Sequence, residues 1–150
     1  MRRTAVLFAT IGAAMGGSLV SGLPSSADTS ASSAGAAAAT RLGAVLVGGN
    51  EVPTAGDPDG YGLADVSVGR TEVCWRISVT GVGAVTAAHI HAGPRGVAGP
   101  VVVALEPYRS GCTDVRRRVA RFIREHPSEF YVNVHNAEFP GGAVRGQLRR

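Results

Sequence analysis

The chain has 150 residues and a mass of 15.3 kDa, the size of one ordinary domain, which excludes a multidomain machine or a two-lobed cofactor enzyme. Hydrophobic residues make up 45% and charged residues 17%, a balance suited to a packed globule rather than a disordered chain. All fifteen basic residues are arginine, and with eleven acids the formal charge is +4.

Residues 1–27 read as a secretory signal peptide. Met1-Arg2-Arg3 supplies a positive start, Ala5 to Val20 is apolar or small without a charge, and Ser25-Ser26-Ala27 offers small residues for cleavage. The run is too rich in Gly, Ala and Ser to favour the alternative of a spanning helix. Without this segment, residues 28–150 hold 13 arginines against 11 acids, a net charge of +2. That small surplus gives no support to a nucleic-acid partner. Residues 28–40 form a Ser/Ala/Gly tether with no large apolar side chain to bury.

From Arg41 the pattern is β. Strands are expected at 42–47, 62–68, 73–80, 85–91, 101–105, 130–134 and 143–148, several of them alternating apolar and polar residues and separated by Gly/Pro turns. Val73, Trp75, Ile77 and Val79 share one face of the third strand and should enter the core. Apolar residues at Val115, Val119, Phe122 and Ile123 fall on one stripe of a helix over 113–125, with Thr113 or Asp114 available as its cap. Its arginines, Arg116, Arg117, Arg118, Arg121 and Arg124, read first as a solvated face with Asp114–Arg118 and Arg121–Glu125 pairs, and otherwise as a surface for anionic glycan, phosphate or membrane. The whole predicts a mainly β fold, an antiparallel sandwich or barrel with one short α-helix.

Cys74 and Cys112 are the two cysteines, an even count that in an exported chain reads as a disulfide. In an extended strand His89 and His91 project together while Ile90 turns to the core, and Asn133 and His135 share a face opposite Val132 and Val134. Imidazole is a ligand for zinc and copper, so His89, His91 and His135 form a candidate metal site. The competing expectation, which the sequence favours, is that these histidines are hydrogen-bonded structural residues tying the Gly93–Pro100 loop to the last strands. His126, beside Pro127, reads as a terminal charge on the helix. Glu51 and Arg145 can pair as a structural ion pair if the first and last strands are neighbours, or else serve ligand recognition in a cleft. No catalytic triad, carboxylate pair or phosphate-cradling loop is visible, so the reading leans away from an enzyme.

Three motifs carry a family resemblance: Asn50-Glu51-Val52-Pro53, Ala87-Ala88-His89-Ile90-His91-Ala92-Gly93, and Tyr131-Val132-Asn133-Val134-His135 followed by Pro140-Gly141-Gly142-Ala143-Val144-Arg145-Gly146-Gln147-Leu148. Together they resemble the CHRD (chordin-type) domain in its secreted bacterial single-domain form, over residues 41–149. The resemblance implies an immunoglobulin-like or superoxide-dismutase-like β domain acting as an extracellular binding or structural module. His89-Ile90-His91 is also similar to the strand motif of copper–zinc superoxide dismutase, although the other ligands of that enzyme have no counterparts. Ala143 stands where many CHRD relatives carry Glu. The expected partner is an extracellular protein or a cell-envelope component, with no stable membrane insertion once the signal is removed. No cofactor follows beyond the possible copper or zinc.

Overall fold

The computed structural model describes residues 38–150; the expected signal peptide and most of the tether lie outside them. Eight strands follow in chain order: β1 (Thr40–Val47), β2 (Tyr61–Val68), β3 (Glu72–Thr80), β4 (Val85–Ala92), β5 (Val101–Ala104), β6 (Ser110–Asp114), β7 (Phe130–Asn136) and β8 (Val144–Gln147). One helix, α1 (Arg117–Glu125), lies between β6 and β7. All pairings are antiparallel, in the order β5-β4-β7-β8-β1-β2-β3-β6. The mainly β expectation is therefore met by one continuous sheet curled into a half-barrel.

Period-2 alternation decides which side of the curl each residue faces. Leu42, Ala44 and Leu46 of β1, Ala64, Val66 and Val68 of β2, and Val73, Trp75 and Ile77 of β3 point into the core. Across the sheet, Ala88 and Ile90 of β4 join Val132, Val134 and Val144. Ala120 and Ile123 bring one stripe of α1 onto the same cluster. Trp75 is buried as expected, and its indole N–H donates to the Pro107 carbonyl at 3.1 Å. The bond satisfies the single polar group of an otherwise apolar ring.

The helix is shorter than its periodicity suggests. Thr113 and Asp114 do not cap it; they belong to β6, which pairs with β3 in the register Glu72↔Asp114, Cys74↔Cys112 and Arg76↔Ser110. The N-cap is Arg116, with no side-chain hydrogen bond. The Asp114–Arg118 helical pair consequently does not form, whereas Arg121 and Glu125 are 3.8 Å apart. β6 was invisible as a strand because it is a short edge element holding no large apolar residue, so neither of its faces leaves an alternating signal. Its register places Cys112 directly opposite Cys74, and the two form the expected disulfide. The bond closes a 38-residue separation and ties the edge strand to the sheet.

Trp75→Ala should destabilise the protein by about 3–5 kcal/mol, since it empties a large core site and leaves the Pro107 carbonyl without its donor. Equilibrium urea unfolding measures the cost; a loss under about 1 kcal/mol would place the indole outside the core.

Candidate functional site

The second face of β4, β7 and β8 is also covered, and what covers it is loop rather than sheet. In β7 the core-facing residues and the opposite-facing Tyr131 and Asn133 are all buried. In register, His89 lies beside Asn133, His91 beside Tyr131, Asn133 beside Arg145, and Tyr131 beside Gln147. These side chains form a polar layer on the outer face of three adjacent strands. A buried polar group needs partners, and the loops supply most of them.

Arg145 donates through Nη2 to the carbonyls of Pro94 at 3.0 Å and Val97 at 2.9 Å. Gln147 donates to Gly93 O and Ser128 O, each at 2.7 Å. The Gly99 N–H donates to the Tyr131 hydroxyl at 3.2 Å, and His91 Nδ1 lies 2.8 Å from Gly99 O. Gly99 cannot be replaced freely, because a Cβ there would overlap the Ala92 carbonyl. At its other side the layer reaches the β1–β2 loop, where Asn50 Nδ2 donates to Arg145 O at 3.2 Å. Arg95 Nη2 in turn donates to Asn50 Oδ1 at 3.0 Å. Tyr131 is the centre of a stack: the His91 ring lies parallel to it at 4.8 Å, and the Arg145 guanidinium is 3.4 Å from its centroid. Alternation from Asn133 and His135 places Tyr131 on this face, a role the sequence reading missed although the period was in hand.

The three candidate histidines do come together. Their ligand-capable atoms all lie within 4.8 Å of one another. His89 Nδ1 is 3.1 Å from His135 Nε2, and the His89 and His91 rings are edge to face at 5.6 Å. A carbonyl can only accept, so the contacts of His91 Nδ1 with Gly99 O and of His135 Nδ1 with Pro140 O at 3.0 Å place a proton on each Nδ1. In the neutral rings both Nε2 atoms are then lone pairs. His91 Nε2 is buried and has no hydrogen-bond partner. His135 Nε2 faces Asn133 Oδ1, another acceptor, at 3.1 Å. Burial holds the His89 and His135 rings below the usual imidazole pKa, reinforced at His89 by the neighbouring rings of His135 and His91. At neutral pH they are uncharged, the form in which imidazole binds a metal.

Glu51 and Arg145 are both buried in this layer but do not make the expected ion pair. Among the described residues the single ion pair within 4.0 Å is Arg121–Glu125. Arg145 spends its Nη2 on the loop carbonyls and its face on Tyr131, leaving Nη1 without a partner. The Glu51 carboxyl packs against Gly142, where φ is +139° and a Cβ would overlap its oxygens. Burial raises its pKa to about 7, against the opposing pull of Arg145 and of hydrogen bonds from the Val52 backbone and the Asn133 side chain. Asn133 thus stands between Glu51 and His135. His126 stands apart, exposed at the end of α1 near the Phe122 ring.

The chain belongs to the CHRD domain family, whose pattern matches residues 42–148, essentially the whole sheet and helix. No significant similarity to a curated protein or to a solved structure was found. Among the described residues no helix is long and apolar enough to cross a membrane.

Because Glu51 holds its proton more tightly folded than unfolded, its contribution to stability should fall as pH rises from about 4.5 to 7. His89 and His135, with lowered pKa values, act oppositely, adding stability as pH rises to their ordinary 6.5. Glu51→Gln isolates the first effect. Urea midpoints at pH 5 and pH 8 should show Glu51→Gln gaining on the parent protein at the higher pH; a difference independent of pH would mean that the carboxyl is solvated.

Proposed function

We propose that this CHRD domain is an exported binding module whose binding site is the His89, His91 and His135 cluster, and that its ligand is a copper or zinc ion. The observation that carries the reading is the convergence of three imidazoles whose ligand-capable atoms all lie within 4.8 Å of one another, one of them a buried lone pair with no partner. That lone pair is His91 Nε2; in the metal-free protein His135 Nε2 accepts from His89 Nδ1 at 3.1 Å and lies 3.1 Å from Asn133 Oδ1. A cation supplies the missing positive partner. Imidazole nitrogen suits both copper and zinc. The Nδ1–H bonds of His91 and His135 to backbone carbonyls are the outer contacts that fix the tautomer and orientation of ligating histidines. His89 must present a lone pair as well, which moves its ring proton to Nε2. The same Nδ1–H bonds hold the β4–β5 and β7–β8 loops to the sheet, so the structural role coexists with the ligand role on the other ring nitrogens. Export is supported by the signal-like residues 1–27 and by the Cys74–Cys112 disulfide, a bond that persists in oxidising compartments.

Nothing in the site resembles a nucleophile with its base, and the reading assigns no reaction. With bound metal the protein would hold or buffer the ion, the three imidazoles setting its affinity and the covering loops limiting access of water.

Metal-free protein, prepared without a His-tag, should bind one zinc or copper ion per chain. Affinity should fall below about pH 6 as the imidazoles take up protons. A variant with alanine at His89, His91 and His135 should lose this binding in isothermal titration. If the variant binds as the parent does, or if neither binds, the ligand reading is wrong and the histidines serve the fold alone.

A further inference from the structure

A second cluster lies away from the histidines. Arg70, in the turn between β2 and β3, and Arg117, Arg118, Arg121 and Arg124 of α1 line one cleft of about 540 Å³. We propose that this cleft binds an oligoanion carrying adjacent phosphate or sulfate groups.

The chemistry of the lining selects the ligand. Five arginines line one volume, and a guanidinium is a planar fork of N–H donors that matches two oxygens of a tetrahedral oxyanion. Lone arginines on a helix are ordinarily balanced by acids one turn away, and here that balance is missing. Asp114 sits in β6 opposite Glu72, so it does not serve Arg118. Glu125 is the one acid paired to the cluster, reaching Arg121 at 3.8 Å with both side chains more than half exposed. Such a pair contributes little and leaves the guanidinium free to turn to a better anion. Over 69–72 and 114–125 there are six arginines and three acids, so the excess charge of the described chain is concentrated at this end.

Several of these side chains are already held in place. Arg124 donates to the Gly69 carbonyl, joining the helix to the β2–β3 turn, and its own carbonyl accepts from Arg150 at 2.8 Å. The Arg118 and Arg121 guanidiniums each lie 5.5 Å from the Phe122 ring centroid, an aromatic platform that limits their wandering. Ordering paid during folding lowers the entropic cost of binding. The opposite stripe of α1 is fixed by Ala120 and Ile123 in the core, so the arginine face cannot rotate away. Groups of like charge held together in this way repel one another, and a multivalent anion relieves that repulsion. A single phosphate would engage one or two forks; the number and spread of the arginines fit two or more linked groups.

The test uses tripolyphosphate as the probe, titrated calorimetrically into the purified protein at low ionic strength. Saturable binding is expected, weakened at least tenfold in Arg117→Gln/Arg118→Gln, as loss of charge-assisted hydrogen bonds requires. Arg41→Gln/Arg76→Gln removes the same charge from a different cleft, shared with Asp65, and should change affinity less than twofold. Thermal midpoints of both variants should match the parent, since the four side chains are exposed. A second arm uses phosphatidylcholine vesicles with and without 30% phosphatidylglycerol. Cluster-dependent binding to the anionic vesicles alone assigns the phosphates to lipid headgroups; cluster-dependent binding to tripolyphosphate assigns them to a soluble oligoanion. Equal weakening by the two double variants, or no saturable binding to either probe, overturns the proposal.

Discussion

The arrangement depends on one constraint: polar side chains on the outer face of β4, β7 and β8 are buried, and buried polar groups must find partners. A sheet that met water on this face would satisfy them without further structure. Here three loops lie over them, and the hydrogen bonds that satisfy the side chains are the same bonds that fix the loops. Arg145 and Gln147 reach the carbonyls of the β4–β5 loop, and Tyr131 and His91 take the two backbone groups of Gly99. The hydrophobic core on the other side supplies the bulk of the stability. The polar layer supplies position.

Position has a chemical consequence for the histidines. Once Nδ1 of His91 and of His135 is committed to a carbonyl, the remaining nitrogen of each ring is an acceptor, and at His135 burial opposes its protonation. The layer satisfies Arg145 in part and leaves three atoms without partners: Glu51 Oε1, Arg145 Nη1 and His91 Nε2. Glu51 answers its isolation by holding a proton into the neutral range. The His91 Nε2 lone pair, buried without a partner, is the feature that favours a metal ion over a purely structural cluster.

Much of this was legible in the chain. Alternation in β2, β3 and β4 identifies the core face, and the same rule puts His89 and His91 together on the other. The family motifs mark the strands that carry the polar layer. What the sequence could not convey is which nitrogens are occupied. Whether a histidine is a ligand or a tie depends on the carbonyls of Gly99 and Pro140, residues whose side chains carry no signal. For the same reason Glu51 and Arg145 read as a pair: complementary charges near adjacent strands suggest contact, whereas the guanidinium is claimed by loop carbonyls. The β6 edge escaped because it is short and holds no large apolar residue, and the apolar stripe of α1 was extended backward through it. The arginine cleft needed Arg70, remote in sequence and brought in by the β2–β3 turn.

The account rests on the ring tautomers, and nitrogen-15 NMR of the histidine rings in metal-free protein at pH 7.5 measures them directly. His91 and His135 should both be neutral with the proton on Nδ1, their Nε2 signals at the shift of an unprotonated, pyridine-type nitrogen. Protons on Nε2 of His91 and His135 would contradict the account, for then neither of those nitrogens offers a lone pair to the cluster and the carbonyls of Gly99 and Pro140 lose their donors.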